Sequence, residues 1–223
     1  MMPLKKLFEG VYRGEGRLWT ENLVPGKPVY GEDLRDFNGR EFRAWNPFRS
    51  KLASAIEKGL KEFPVRAGGR VLYLGSSEGT TASHLSDVIG GTGLLVGVDV
   101  SERSMKKFLE LCEQRENMVP VLADANQPEG YADALEDVKV DLLYQDVSQK
   151  NQAEIFLKNA RAFLGKGKPA MLCVKARSID SAKKASRIIG DEVRLLEKEF
   201  EVRQVLELSP FEKDHALVYG RKK

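Results

Sequence analysis

The sequence lacks long apolar runs and a recognisable leader segment. No apolar stretch in its 223 residues approaches the roughly 20 residues that a membrane-spanning helix needs, so we expect no membrane span. The first ten residues contain two lysines but neither an apolar segment nor a small-residue cleavage site. We therefore predict no signal peptide and a cytoplasmic location.

Cysteine and an excess of one charge are also scarce. Cys112 and Cys173 are the only cysteines and lack metal-binding spacing, so we expect reduced thiols rather than disulfides or a cysteine-based metal site. Lys and Arg number 36 against 33 Asp and Glu, a net charge of +3. This balance permits contact with RNA without requiring it. RNA binding by this chain alone should be weak and salt-sensitive.

The sequence has a glycine loop but lacks the two commonest phosphate-binding patterns. Gly75 to Gly79 reads Gly-x-x-x-Gly, neither the Gly-x-Gly-x-x-Gly of dinucleotide sites nor a P-loop. The loop joins a short apolar strand to a helix, so backbone N–H groups would face an electron-rich ligand there. We expect Gly75 to permit a tight turn and Gly79 to permit close approach of a ligand. An ordinary strand-to-helix turn is the alternative.

Residues 1–46 differ in pattern from the rest of the chain. Short β-prone runs alternate with turn-forming residues there, which predicts a small antiparallel sheet. The runs are residues 11–12, 17–20, 29–30 and 41–45. We expect Trp19 and Trp45 to lie in the core of this sheet or at its boundary with the next unit. Stacking of these rings on RNA bases is the functional alternative.

Residues 47–223 alternate between strand and helix patterns. A first helix is predicted from Asn46, as N-cap before Pro47, to about Phe63. Strands follow near residues 70–74, 94–98, 118–122, 139–145 and 169–175, and helices near 79–89, 102–114, 151–164 and 181–196. Two last strands, residues 201–208 and 215–220, have no helix between them. The pattern predicts an α/β, Rossmann-like methyltransferase fold. Its sheet should have seven strands, mainly parallel, with the last strand antiparallel. The N-terminal β extension is predicted to be a separate unit.

Acidic residues follow three of the predicted parallel strands. Because ligands collect at the carboxyl ends of such strands, Asp99, Asp124 and Asp146 should lie at one edge. Asp99 suits ribose hydroxyls, Asp124 an adenine amino group, and Asp146 the positive charges of a sulfonium and an amine. S-adenosylmethionine (SAM) fits this set better than NAD or ATP, because no phosphate-binding loop is present. Each aspartate also has an alternative role as a helix cap.

One lysine ends an otherwise apolar strand and needs a carboxylate partner. Lys175 is that residue, and Asp146 on the neighbouring strand is the candidate partner. Lys51 and His215 can reach the same edge, although a solvated basic turn and a surface histidine are the alternatives. Two adjacent lysines lower each other's pKa, which favours a role as base. We interpret the other histidine, His84, as structural or helix-capping.

Five stretches together match a known family. They are residues 44–52 (AWNPFRSKL), 73–81 (YLGSSEGTT), 138–149 (VKVDLLYQDVSQ), 174–180 (VKARSID) and 209–216 (SPFEKDHA). In these motifs, over essentially its whole length, the chain resembles fibrillarin in its archaeal form. The resemblance implies a SAM-dependent RNA 2′-O-methyltransferase acting on ribosomal RNA and transfer RNA. It also implies a ribonucleoprotein with a Nop-domain scaffold protein, a kink-turn-binding protein and a box C/D guide RNA.

The resemblance also assigns residues. Lys51, Asp146, Lys175 and His215 correspond to the catalytic Lys-Asp-Lys-His set, with Lys175 expected to orient and deprotonate the 2′-hydroxyl. The residues expected to contact SAM include the glycine of the turn. They are Gly75, Thr80, Thr81, Asp99, Val100, Asp124, Ala125, Asp146, Val147, Ser148 and Gln149. Three residues depart from the family pattern, namely Glu78, Asp99 and Ser148. Glu78 could crowd or order the loop on the side of the methionine carboxylate, so the departures concern SAM affinity.

Two other functions fit the same features. One is a SAM-binding scaffold whose main work is assembling a ribonucleoprotein. The other is methylation of a small molecule or of protein glutamine. The N-terminal sheet and the absence of a lid-like insertion between predicted strands argue against a closed small-molecule pocket.

Overall fold

The structure, a computed structural model, describes residues 4–223; residues 1–3, with which the predicted N-terminal unit starts, lie outside it. None of the helices in this range is long and apolar enough to cross a membrane. The strands are β1 (Lys5–Phe8), β2 (Val11–Gly14), β3 (Arg17–Glu21), β4 (Leu34–Phe37), β5 (Arg40–Trp45), β6 (Arg70–Leu74), β7 (Leu94–Asp99), β8 (Met118–Leu122), β9 (Leu142–Gln145), β10 (Pro169–Lys175), β11 (Phe200–Glu207) and β12 (His215–Lys222). The helices are α1 (Lys51–Glu57), α2 (Thr80–Ile89), α3 (Glu102–Cys112), α4 (Gln152–Phe163), α5 (Ala176–Ile179) and α6 (Ala185–Leu196).

The N-terminal strands form the predicted antiparallel sheet, in the order β1-β2-β3-β5-β4. Both tryptophans are buried, Trp19 in this sheet and Trp45 in the core that it shares with the rest of the chain. Their burial favours the core interpretation over stacking on RNA. The prediction of a strand at residues 29–30 is wrong. The Glu32 carboxylate accepts hydrogen bonds from the backbone N–H groups of Val29 and Tyr30 and holds this segment as a loop. Strands β1 and β4 were not predicted.

The second sheet has the predicted seven strands, in the order β11-β12-β10-β9-β6-β7-β8. Strands β10, β9, β6, β7 and β8 are parallel neighbours, whereas β12 runs antiparallel to both β10 and β11. The predicted Rossmann-like arrangement with an antiparallel last strand is therefore confirmed. Strand β9 is the central strand, which places the residue after it, Asp146, at the middle of the carboxyl edge.

The first helix begins later and ends earlier than predicted. Its N-cap is Ser50, whose hydroxyl accepts a hydrogen bond from the Ala53 N–H group, so the predicted cap at Asn46 is wrong. The Asn46 side chain instead accepts from the Phe48 N–H group and fixes a turn before the helix. Helix α1 ends at Glu57 rather than Phe63. The helix predicted at residues 181–196 is likewise shorter, because α6 begins only at Ala185 and the separate α5 precedes it.

Two apolar clusters cover the two faces of the large sheet. One contains side chains of β6 and β9 together with α1, α2 and the N-terminal sheet, including Val11, Leu18 and Trp45. The other contains the opposite faces of the same strands packed on α4 and α6. Burying a Leu or Val side chain contributes about 1.5–3 kcal/mol, so the shared cluster attaches the small sheet firmly to α1 and α2.

The two cysteines lie where the patterns place them, Cys112 at the end of α3 and Cys173 within β10. Both are free and buried. Burial raises the pKa of each thiol to about 12, so both stay protonated at neutral pH.

Candidate active site

The glycine loop brings the ends of β6 and β9 together. Gly75 has a φ of +79°, and a Cβ atom there would lie 2.7 Å from the Asp146 carbonyl oxygen. Glycine is therefore required for the backbones to approach at this turn. Gly79 has a φ of +93°, and a Cβ there would lie 2.5 Å from Leu111 Cδ2. Glycine is therefore required at position 79 by the packing of α2 against α3, and its close approach to a ligand stays a prediction.

A cavity of about 380 Å³ opens beyond the carboxyl ends of β6, β7 and β9. It is within the size range of small-ligand sites. Eight of the residues predicted to contact SAM line it: Gly75, Asp99, Val100, Ala125, Asp146, Val147, Ser148 and Gln149. Thr80, Thr81 and Asp124 do not line it, and their contact with a cofactor stays a prediction. Three further residues line the cavity that were not predicted from the sequence: Ser77, Val98 and Ser104.

Two of the three strand-end aspartates also organise the local backbone. Asp99 accepts hydrogen bonds from the Ser77 N–H group at 2.8 Å and from the Ser101 N–H group at 2.9 Å. It thereby ties the glycine loop to the start of α3. Asp124 accepts from the Asn126 N–H group at 2.8 Å. Neither side chain is a helix cap, because the N-cap of α3 is Ser101 and the helical turn after Asp124 has its N-cap at Gln127. Both aspartates instead fix backbone turns, and Asp99 also lines the cavity.

The third aspartate holds two lysines. Asp146 Oδ2 lies 3.2 Å from Lys51 Nζ, and Asp146 Oδ1 lies 2.8 Å from Lys175 Nζ. The three side chains are only 12–15% exposed. Lys175 Nζ also donates to the Asp146 carbonyl oxygen and to Ser148 Oγ, both at 2.9 Å. The structure thus assembles the predicted Lys-Asp-Lys group at the edge of the cavity.

The electrostatics of Lys51 differ from the sequence-based expectation. Burial lowers the pKa of Lys51, but the carboxylates of Asp146 and Glu212 outweigh it, so the net shift is upward. The prediction that the two lysines lower each other's pKa is therefore wrong for Lys51. The reason is geometric, because a carboxylate lies between the two ammonium groups and stabilises the charged form.

The fourth predicted residue reaches this group through a carboxylate that sequence reasoning missed. His215 pairs with Lys175 across β12 and β10, and its Nδ1 lies 2.7 Å from the Lys213 carbonyl oxygen. Glu212 Oε2 lies 4.0 Å from His215 Nδ1, and Glu212 Oε1 lies 3.8 Å from Lys51 Nζ. Glu212 therefore stands between Lys51 and His215. The available signal was its place in the stretch 209–216, three residues before His215.

Several other singled-out residues serve packing. Thr81 donates to Ser50 Oγ at 3.0 Å and so fixes the start of α1. Glu78 pairs with Lys107 on α3 at 2.7 Å and does not line the cavity, so it does not crowd the cofactor side of the loop. His84 is fully buried within α2, which confirms a structural role and excludes a cap.

The family follows from the comparison with protein-family models. The model described as Fibrillarin matches residues 3–223. The chain belongs to the fibrillarin family. A curated relative from Thermococcus onnurineus, named fibrillarin-like rRNA/tRNA 2′-O-methyltransferase, is 47% identical over 99% of this chain and 100% of its own length. The predicted resemblance is confirmed.

Solved fibrillarin structures agree over the whole chain. The Aeropyrum pernix fibrillarin in complex with natively bound S-adenosyl-L-methionine is 43% identical, with a TM-score of 0.87 over 99% of this chain and 100% of that one. A fibrillarin/Nop5p complex contains a chain that is 37% identical, with a TM-score of 0.88 over 98% of this chain and 100% of that one.

Proposed function

We propose that this protein is a SAM-dependent RNA ribose 2′-O-methyltransferase. The observation that carries the proposal is the Asp146 carboxylate between Lys51 and Lys175, at the edge of a cavity that Asp146 and Lys175 line. A carboxylate that holds two ammonium groups suits a hydroxyl nucleophile, because it fixes the donors that orient the reacting oxygen. Membership of the fibrillarin family and the names of full-length relatives support the same reaction.

The cavity residues fit the cofactor. Val98, Val100 and Ala125 provide apolar walls for an adenine ring, and Asp99 and Ser104 provide polar groups for ribose hydroxyls. Asp146 provides negative charge where the cationic portion of the cofactor would lie. When bound, S-adenosylmethionine supplies an electrophilic methyl group on a positively charged sulfur.

Lys175 is the residue that we assign to the substrate hydroxyl. Its Nζ is held by the Asp146 carbonyl and by Ser148, so the amine has a fixed position at the cavity edge. A charged ammonium there donates to the 2′-oxygen and orients it. To accept the hydroxyl proton, the amine first releases one of its own to solvent. The oxygen lone pair freed by that proton transfer is the nucleophile that the reaction requires.

Lys51 and His215 have supporting roles. The raised pKa of Lys51 keeps it positively charged at neutral pH, which suits attraction of a substrate phosphate. His215 places Nδ1 against a carbonyl oxygen, so Nδ1 carries a proton and donates it there, which leaves Nε2 for contact with the substrate. We assign Nε2 to orientation of the substrate ribose.

Replacement of Lys175 tests the assignment. Lys175→Ala should lower methyl transfer by about 10²-fold or more, whereas SAM affinity should change by no more than about twofold. The readouts are transfer of labelled methyl to RNA and equilibrium dialysis of SAM. Lys168→Ala is the matched control, because Lys168 precedes the same strand and pairs with Asp141 at 2.7 Å near its other end. Undiminished transfer by Lys175→Ala would refute the assignment.

The proposed working form is a guide ribonucleoprotein. We propose a Nop-domain scaffold protein as direct partner, supported by the solved fibrillarin/Nop5p complex. A kink-turn-binding protein and a box C/D guide RNA complete the proposed particle, with ribosomal and transfer RNA as substrates. The net charge of +3 supports this dependence, because few phosphate contacts by this chain leave affinity and sequence choice to the partners.

A further inference from the structure

A groove of about 680 Å³ opens beside the proposed active site and has no part in the chemistry described so far. Tyr30, Trp45, Phe48 and Phe211 contribute its aromatic walls. Phe48 is 62% exposed, although it is a large apolar side chain, and its ring lies edge-on to Phe211 at 5.1 Å between centroids. Exposed aromatic rings in a groove are the groups on which nucleic-acid bases stack.

The groove adjoins the Lys-Asp-Lys group through two segments of the chain. Phe48 lies three residues before Lys51, and Phe211 directly precedes Glu212. The Phe48–Phe211 pair and the Lys51–Glu212 contact therefore join the same two segments, the start of α1 and the loop before β12. An occupant of the groove would lie beside the reacting ribose.

The charges of the groove leave one cation unpaired. Its three acids are each neutralised, since Glu32 pairs with Arg43, Asp33 with Arg17, and Glu57 with Arg13. By contrast, Arg49 forms no ion pair within residues 4–223. Its guanidinium lies 5.7 Å from the centroid of the Tyr30 ring. A free guanidinium beside aromatic rings suits a ligand that combines a flat ring with one negative charge.

We propose that this groove binds a nucleotide adjacent to the methylated one on the substrate RNA strand. Its base stacks on Phe48, and its phosphate contacts Arg49. The proposal rests on the proposed function, because it takes the reacting ribose to lie at Lys175. A single-stranded substrate segment fits better than a paired one, because the base must leave its stack to reach the rings.

The first test is kinetic and uses the assembled guide particle. Phe48→Ala should raise the KM for substrate RNA roughly tenfold, as the loss of one stacked base predicts. Arg49→Ala should also raise KM and should reduce the slope of log KM against log salt by about 0.7, which is one phosphate contact to a single strand. SAM affinity should not change in either variant.

Two control variants match these changes outside the groove. Arg40→Ala removes a guanidinium that lies 5.7 Å from the Phe42 ring centroid, and Leu109→Ala removes a side chain that is 48% exposed on α3. Both controls should keep the KM of the unmodified particle. Unchanged KM values for both Phe48→Ala and Arg49→Ala would overturn the proposal. Failure of these variants to join the scaffold protein would also overturn it, because the groove would then be a protein interface.

The second test does not depend on methyl transfer. A substrate RNA with 4-thiouridine next to the target nucleotide is irradiated in the particle, and the cross-linked peptide is sequenced. The proposal predicts cross-links to Phe48 or Phe211, and cross-links confined to other surfaces would contradict it. A particle that cross-links at Phe48 but transfers no methyl group would contradict the proposed function and support the groove.

Discussion

At the scale of single residues, the site depends on one carboxylate shared by two ammonium groups. Asp146 contacts Lys51 and Lys175 within 3.2 Å. This arrangement could be predicted, because Lys175 ends one parallel strand and Asp146 follows the neighbouring one. A buried lysine at the end of an apolar strand needs a carboxylate partner. The approach of Glu212 could not be predicted in the same way. It depends on how the loop between β11 and β12 folds over α1.

Glu212 provides a prediction at this scale. Glu212→Gln removes a charge 3.8 Å from Lys51 Nζ that helps to raise the pKa of that lysine. Because a raised lysine pKa falls when a nearby negative charge is lost, the alkaline limb of the transfer rate should move to lower pH. The shift should be about 0.4 pH unit, equivalent to about 0.5 kcal/mol for a partly exposed pair. The rate at neutral pH should not change, because Lys51 stays charged there.

The measurement is the pH dependence of labelled methyl transfer from pH 7 to 10.5. Glu199→Gln is a suitable control, because Glu199 pairs with Arg161 away from the cavity. An alkaline limb at the same pH in Glu212→Gln and the unmodified protein would show that Glu212 has no effect on Lys51.

At the scale of elements, a buried polar cluster joins the small sheet to the helices of the large one. Asp87 on α2 accepts hydrogen bonds from Arg43 on β5 at 2.9 Å and from Arg115, just after α3, at 2.7 Å. It also accepts from the hydroxyl of Thr20 on β3 at 2.8 Å. All of these charged side chains are buried. Sequence patterns did not reveal the cluster, because its members are distributed over four segments with no shared motif.

Removal of the central carboxylate should destabilise the protein strongly. Asp87→Ala leaves the buried guanidinium of Arg115 without a carboxylate and that of Arg43 with Glu32 alone, so the free energy of unfolding should fall by about 3–5 kcal/mol. Urea denaturation measures this change. Asp191→Ala is the matched control, since it removes an aspartate that pairs with an arginine three residues later on the surface of α6, where exposed pairs contribute about 0–1 kcal/mol. Similar losses in both variants would contradict the account of the cluster.

His84 lies at the same boundary between the small sheet and α2, and we expect it to make the stability of the fold depend on pH. Burial lowers the pKa of His84 well below its ordinary value of 6.5, and the charges of Arg43 and Arg115 lower it further. The folded state therefore keeps His84 neutral where the unfolded state protonates it. Stability from this residue is present above pH 6.5 and is lost as pH falls below it, by up to about 1.4 kcal/mol per pH unit.

Comparison with a variant isolates this contribution from that of the carboxylates. His84→Gln cannot take up a proton, although it loses some of the contacts of His84 with Thr20 and Tyr30. The difference in unfolding free energy between the unmodified protein and His84→Gln should therefore shrink as pH falls from 7 to 5. A difference that stays constant over this range would contradict a lowered pKa for His84.

At the scale of the whole molecule, the large sheet was the more predictable half. Its strands are continuous apolar runs, each followed by a helical pattern, so order and direction follow from βα connectivity. Strands β1 and β4 escaped prediction because Lys5 and Lys6, and Arg35 and Asp36, interrupt their apolar character. The division into units 1–46 and 47–223 stays a proposal. The small sheet has a cluster of its own around Trp19, but the cluster that contains Trp45 is shared between the two sheets.

The groove could not be foreseen for a similar reason. Phe48 and Phe211 are 163 positions apart in the chain, and neither carries a signal beyond the motif around it. Their contact arises because the turn before α1 meets the loop before β12. The cofactor cavity and the Lys-Asp-Lys group are built from residues 47–223 alone. The groove, by contrast, takes its lining from both halves of the chain.

The central claim is guide-dependent methylation of RNA ribose, and one measurement tests it most directly. Labelled methyl transfer from SAM to ribosomal RNA fragments would be mapped to single nucleotides, with the protein alone and with scaffold protein, kink-turn-binding protein and guide RNA added. The account predicts label at one guided 2′-oxygen and only in the complete mixture. Equal labelling by the protein alone would contradict dependence on the guide. No labelling in either mixture, with SAM still bound, would contradict the methyltransferase itself.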